Sequence, residues 1–430
     1  MRIAVVGSGI SGMVAASRLH RSHEVTVFEA GSHVGGHTHT VDVQWQGRHY
    51  AIDTGFIVFN DWTYPRFIAL LNELGVEYQS SNMSFSLRDE RNGLEYNGTS
   101  VNTLFAQRLN ALRPSFLRMI ADILRFNERS LDLLAGNDDA ITLGEYLDAQ
   151  GYSRAFREKF IVPMGMSIWS ASERAMLAFP ARFFVEFFEK HGFLNVNDRP
   201  VWQAIKGGSR EYMRKLAAPL AHRIRLNTPV VSVRRDPAGV TIRTGINTVE
   251  RFDHVFLACH SDQALKLLQD PSAAETEVLG AIPYQENEAV LHTDDRLLPR
   301  AKLARAAWNY HLLAVRDNAM RDRVALTYDM NVLQSLDAPV RFLVTLNRTA
   351  DIDPAKVLKT ITCHHPVYLP TGVAAQKRRA DISGVNRTFY CGAYWRYGFH
   401  EDGVVSAEWA LEDFARCAPG LESARLARAV

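Results

Sequence analysis

Cysteine is scarce: a chain of 430 residues carries four, at 259, 363, 391 and 417. No two have CxxC spacing, which excludes a zinc knuckle or a thioredoxin-like redox pair. Reduced thiols of a cytosolic protein are the simplest reading. Long apolar runs are missing as well. No segment approaches the roughly 20 residues of a membrane span, and the stretch from Met1 to Gly7 is far shorter than a signal peptide's hydrophobic region. Neither sign of charge dominates. Forty-nine Lys and Arg stand against 47 Asp and Glu, a formal +2, so electrostatics give no reason to expect nucleic acid or strong membrane adsorption. Internal repeats, low-complexity tracts and long Pro-rich or Gly/Ser linkers are also lacking. The expectation is a soluble, cytoplasmic protein that could touch the inner membrane only peripherally, with an oligomeric state the sequence does not specify. Apolar residues are plentiful at 47%, and the chain is too long for one ordinary core, so two domains are expected.

The densest pattern is N-terminal. Ile3 to Val6 is a short β-branched run suited to a buried parallel strand, and it leads into Gly7-Ser8-Gly9-Ile10-Ser11-Gly12. A helical stretch from Ile10 to His20 follows, then a second strand from Glu24 to Phe28 that ends at Glu29. In this G-x-G-x-x-G, Gly7 permits the tight turn, Gly9 lets the backbone approach a pyrophosphate, and Gly12 lets the helix pack closely on the strand. The free N–H groups of Ile10 and Ser11 at the helix start then face the phosphates. Glu29 stands about twenty residues on, where a carboxylate accepts hydrogen bonds from ribose hydroxyls and repels a 2′-phosphate.

The continuation Glu29-Ala30-Gly31-Ser32-His33-Val34-Gly35-Gly36-His37-Thr38, with Ile52-Asp53-Thr54-Gly55 beyond it, resembles the flavin amine oxidase, phytoene desaturase and protoporphyrinogen oxidase superfamily. The resemblance implies FAD as cofactor and adds Ala30, Gly35, Gly36, His37, Thr38, Asp53 and Gly55 to its candidate contacts. The superfamily commonly has Arg where this chain has His37. It also implies an adenine-facing hairpin over Leu226–Val233 and Gly239–Ile242, with Val231 the candidate contact. The C-terminal strand from Arg387 to Tyr394, and the helix opening at Asp402, Gly403 and Val404, would bring Gly392, Asp402, Gly403 and Val404 to the flavin.

The expected fold is therefore α/β: a discontinuous Rossmann-type FAD-binding domain from residues 1–60, 201–265 and 376–430, and an α+β substrate domain from 61–200 and 266–375. The first insertion reads as helix-rich, with amphipathic spacing over Phe116–Phe126 and Arg154–Ile161 and an aromatic run Phe183–Phe188. The second holds strand-like runs at Glu288–His292, Val324–Tyr328 and Arg341–Leu346. Stretches such as Pro163–Ser170, Thr327–Gln334 and Gly398–Gly403 resemble a bacterial subgroup of the superfamily whose genes accompany cyclopropane-fatty-acid-synthase-like methyltransferases, and which includes proteins resembling methylated fatty acid desaturases.

A flavin takes a hydride at N5, so such a protein must set a C–H bond against that atom and exclude water. His400 occupies the position where amine oxidases commonly place a cage tyrosine, and as a histidine it could accept a proton near neutral pH. Tyr394 and Tyr397 are the next candidates for the pocket wall. His364-His365 and His37-x-His39 lack further ligands of matching spacing, so no metal is expected. The leading reading is an FAD-dependent oxidoreductase dehydrogenating an apolar small molecule or lipid acyl chain. The alternatives are an amine oxidase releasing hydrogen peroxide and a flavin-binding sensor or accessory protein without turnover.

Overall fold

A computed structural model describes residues 1–136, 140–314 and 323–417. The N-terminal β1 (Arg2–Val6), α1 (Ile10–Leu19) and β2 (Glu24–Phe28) stand as the sequence pattern requires. Around β1 a five-stranded sheet runs in the order Ile224–Arg225, β2, β1, His254–Leu257, Thr388–Tyr390, and each pairing is parallel. Ile3, Ala4, Val5, Val25, Val27, Val255 and Phe256 are buried, because helices and loops cover both faces of a parallel sheet. The sheet thus joins three distant stretches of chain.

Three glycines set how closely its layers approach. A Cβ on Gly12 would lie 2.0 Å from the Gly7 carbonyl oxygen, and one on Gly403 would lie 2.6 Å from Ile10 Cγ2. Gly7 itself has φ +104°, a conformation side chains disfavour. The C-terminal helix His400–Cys417 crosses α1 through Gly403. It opens at His400, two residues earlier than the sequence suggests, because the Asp402 carboxylate accepts the Phe399 N–H at 2.9 Å and caps the turn.

A three-stranded antiparallel sheet, Val230–Asp236, Gly239–Thr244 and Val249–Phe252, flanks the first. Arg235 ties it down with paired bonds to Glu275, whose carboxylate also accepts the Tyr390 hydroxyl at 2.6 Å.

The second large sheet has seven strands in the order Val357–Pro366, Tyr284–His292, Leu343–Leu346, Leu326–Asp329, Trp308–Leu312, Phe85–Asp89, Leu94–Asn97. Its last two come from the insertion that reads as helix-rich, and they join through a parallel pairing of Trp308–Leu312 with Phe85–Asp89. The helices Pro114–Arg129, Val162–Trp169 and Ala181–Lys190 share one core with this sheet. Arg154–Ile161 is an α-turn that passes into a π-turn.

Packing divides the chain differently from the expected boundaries. Tyr64, Phe67, Leu70, Leu71 and Val76, beyond residue 60, pack with α1 and the C-terminal helix. Val43, Tyr50 and Ile52, before it, pack against the seven-stranded sheet. Composition marks neither crossing, because both cores are equally apolar.

The Gly7–Gly12 contact leaves no space for a methyl group. Gly12→Ala should therefore lower stability by about 1–3 kcal/mol, the usual cost of overpacking, and reduce retained flavin; an unchanged melting temperature and flavin content would refute this.

Candidate active site

A cavity of about 600 Å³ runs from the β1–α1 turn to the aromatic helices of the second core. One end is lined by Gly7, Gly9, Ile10, Ser11, Glu29 and Ala30, with Gly35, Gly36 and Gly55 beside them. The space beside Gly9 is open, with nothing within 4 Å of where a Cβ would stand, so the start of α1 faces the void. Backbone N–H groups at such a helix start suit a phosphate.

Glu29 is already engaged. Its Oε2 accepts the Ser8 N–H at 2.9 Å and the Ser8 hydroxyl at 2.6 Å, and its Oε1 accepts the Gly31 N–H at 2.7 Å. A carboxylate accepts about four hydrogen bonds, so one site on Oε1 remains for a ribose hydroxyl. The sequence reading allowed two, and the Ser8 hydroxyl takes the place of the second.

Several other expected contacts stand behind the cavity wall instead of on it. Gly12 and Gly403 set helix packing, and Val404 is buried in the core beside them. Asp402 caps the C-terminal helix, is paired with Arg396 at 3.2 Å, and burial raises its carboxyl to about 6. Asp53 accepts Thr40, Ser209 and Gln334, and so anchors the Gly208–Ser209 turn to the hairpin Thr40–Asp53. Val231 is 44% exposed while Val230 lines the cavity. The pairing slips between Val230 and Ser232, and such a bulge turns the strand face by one residue.

At the far end the sequence-predicted Gly392, Tyr394, Tyr397 and His400 all line the cavity. The Tyr394 ring lies on the Gly392 backbone, where a Cβ would be 2.3 Å from Cε1, and its hydroxyl is buried without a partner. Trp308 Nε1 is a second unpartnered donor on a residue of the same wall. Unsatisfied buried donors are what a bound polar ring would complete. Tyr397 packs on Phe183 and Phe187, with ring centroids 4.6 and 5.5 Å away. Cys391 is fully buried in the core beside Phe256 and Phe389, and only Cys259 of the four thiols is a lining residue.

His400 belongs to a network the sequence does not announce. Its Nε2 lies 3.0 Å from both Thr38 Oγ1 and Tyr212 Oη, which are 2.5 Å from each other. Its ring stacks on Phe56 with centroids 3.6 Å apart. Burial pushes it well below its ordinary value, so it is neutral at neutral pH, which corrects the expectation of a proton acceptor poised near 7. Thr38 reaches His400, not the cavity.

Four more histidines line the middle: His37, His260, His364 and His365. The His37 ring lies 5.4 Å from His365 and 6.4 Å from His260. Burial, reinforced by their mutual proximity, lowers His37, takes His260 to about 4 and His365 to about 3. Among the described residues no three His, Cys, Asp or Glu side chains group as metal ligands. Among the described residues of the lining, Glu29 is the one carboxylate and there is no Lys or Arg. The substrate end is built from Phe56, Met83, Trp169, Phe187, Phe193, Trp202 and Tyr328.

Fold and site together define a dinucleotide-binding architecture, and comparison with known proteins sharpens that class. The family described as flavin containing amine oxidoreductase matches residues 10–309, and the chain belongs to that family. It is 26% identical over 255 residues to an L-amino acid dehydrogenase of Synechocystis sp., covering 56% of this chain and 52% of that protein. It is also 26% identical over 257 residues to a Mycobacterium tuberculosis protein named as a flavin-containing monoamine oxidase, AofH, covering 56% and 53%. The matches thus span about half the length of these curated relatives. Among solved structures, cyclohexylamine oxidase from Brevibacterium oxydans has a TM-score of 0.70 at 16% identity, covering 96% of this chain and 99% of that one. A fatty acid isomerase from P. acnes has a TM-score of 0.66 at 17% identity, covering 96% and 98%. They share the fold.

Two outcomes follow from the site. Glu29→Gln removes an anionic acceptor and sets an amide N–H₂ against donors, so FAD affinity measured by titrating the apoprotein should fall about tenfold to a hundredfold; an unchanged affinity would show that the carboxylate does not serve the cofactor. The lowered histidines give the second. In the unfolded chain they protonate near 6.5, whereas His260 and His365 in the folded chain wait until about 4 and about 3. The unfolded state therefore binds more protons below 6.5, and the stability present above that pH is lost as pH falls toward 4. Melting temperature should drop on acidification through this window, and less steeply in a His260→Asn, His365→Asn variant; parallel curves for the two proteins would refute the assignment.

Proposed function

We propose that the protein dehydrogenates an uncharged, apolar substrate, with a fatty acyl chain, methylated or not, as the class that best suits the cavity. The observation that carries this reading is the lining beyond the cofactor end: mostly aromatic and aliphatic side chains with one methionine, and histidines of which burial lowers His37, His260 and His365, with no Lys, Arg, Asp or Glu among the described residues there. An amino acid would need a cation for its carboxylate, and the described residues of this wall include no Lys or Arg. The same argument disfavours a free fatty acid with its carboxylate inside, and favours an acyl chain whose ester end stays out of the cavity. Burying an uncompensated carboxylate costs several kcal/mol.

FAD, when bound, supplies the hydride acceptor at N5. On this reading Gly7 to Ser11 and Glu29 hold the dinucleotide, and the Tyr394, Tyr397 and His400 wall confines the reacting carbon. Desaturation also releases a proton from the neighbouring carbon. The histidine cluster of His37, His260, His364 and His365 lines the cavity there and offers the ring nitrogens nearest to that proton's path. His400, with Nε2 held by Thr38 and Tyr212, fits a shaping role better than that of a free base.

Amine oxidation is the second reading. The sequence relatives named for amino acid and monoamine substrates favour it, and an aromatic wall can hold an amine by cation–π contact.

Anaerobic bleaching of the flavin band near about 450 nm separates the two, since it reports hydride transfer directly. Bleaching by phospholipid-borne acyl chains and not by an amine panel is the expected outcome; bleaching by amines alone would transfer the protein to the second reading. His400→Ala should retain FAD and slow bleaching by about tenfold or more, the scale of a lost positioning contact.

A further inference from the structure

The outer side of the helix Pro114–Arg129 and the turn before it carry apolar residues that nothing among the described residues covers. On the helix, Phe116, Met119 and Phe126 face the core, whereas Leu117 and Leu124, seven residues apart, lie on the opposite stripe at 45% and 55% exposure. The short turn Arg108–Leu112 leads into that helix and exposes Leu109 at 71% and Leu112 at 77%. Leu131 extends the seven-residue spacing at 42%. Clustered exposed leucines mark an interaction surface when they stand together, as single ones do not.

The charges around them select the partner. Arg108, Arg113, Arg118, Arg125 and Arg129 occur between residues 101 and 131, against only Asp122 and Glu128. Asp122 is buried, and pairs with Arg118 at 3.3 Å and Arg125 at 3.0 Å. An apolar stripe flanked by arginines on a helix lying flat is the pattern that inserts into the headgroup boundary of an anionic bilayer. A second copy of this chain fits poorly, because a two-fold contact through this face would bring the same arginines together.

We propose that this leucine–arginine face docks the protein peripherally on anionic phospholipid membranes. It does not depend on the acyl-chain reading, although a docked enzyme would meet lipid-borne chains at the surface that holds them. Docking and substrate class can be read separately, since binding to vesicles requires no turnover.

The test is flotation of the FAD-loaded protein with vesicles of phosphatidylglycerol and phosphatidylcholine, and with phosphatidylcholine alone. The wild type should float with the anionic vesicles, less so at high salt. A Leu109→Ser, Leu112→Ser, Leu117→Ser variant with unchanged flavin content and melting temperature should partition about tenfold or more weakly, because burial of exposed apolar area drives insertion. Arg113→Gln with Arg129→Gln should lose the preference for anionic lipid. Absence of wild-type flotation, or equal flotation of the leucine variant, would overturn the proposal. So would a lipid-free dimer that the leucine substitutions dissolve, which would assign the face to self-association.

Discussion

A bound dinucleotide carries two phosphates, yet the described residues that line the cavity include no lysine or arginine. Anion binding then rests on backbone N–H groups and the dipole at the start of α1. That helix end is effective only where it is placed, and its placement depends on Gly12 lying against the Gly7 carbonyl. Gly403 sets the C-terminal helix against Ile10 from the other side. The electrostatics of the site are therefore a consequence of how closely three backbone segments can approach, and side-chain charge contributes little.

The same requirement explains the discontinuous chain. A parallel sheet needs a crossover between each pair of neighbouring strands, and here two of those connections have grown into the second core. His254–Leu257 and Thr388–Tyr390 are neighbours in the sheet although most of the seven-stranded sheet lies between them in sequence. Arg235, buried with Glu275 and Tyr390, fastens the flanking antiparallel sheet to this arrangement. Breaking one partner of such a buried pair is costly, so the interaction ties both returns of the chain to one geometry.

The sequence is legible where a constraint is local. The strand, glycines, helix, strand and terminal Glu29 lie in one short run, and each residue type is required by its neighbours. The hairpin and the C-terminal strand and helix follow from family resemblance. The rest is set by contacts between distant positions. Thr38 meets Tyr212 across 174 residues and His400 across 362, and no spacing rule links them. Val230 replaces Val231 because a bulge shifts the face by one residue, which alternation alone cannot reveal. Phe85–Asp89 and Leu94–Asn97 pair with each other as a short hairpin, but Trp308–Leu312, the strand that joins them to the sheet, arrives more than two hundred residues later. Asp53 looks like a cofactor ligand by position, but its carboxylate holds Ser209 and Thr40.

The neutrality of the central histidines connects the two ends of the cavity. His37, His260 and His365 lie close enough that a proton on one raises the cost of a proton on the next. Burial and this mutual repulsion both disfavour a proton on the cluster. An arginine in the place of His37 would fix a charge beside the substrate end, and a fixed charge there would have to be solvated or paired. With histidine the middle of the cavity stays uncharged between turnovers, which an aromatic wall and an apolar substrate both require. On the acyl-chain reading, the departure at His37 and the absence of basic lining residues are one adaptation: phosphate binding is left to the backbone so that the chamber beyond it can remain dry.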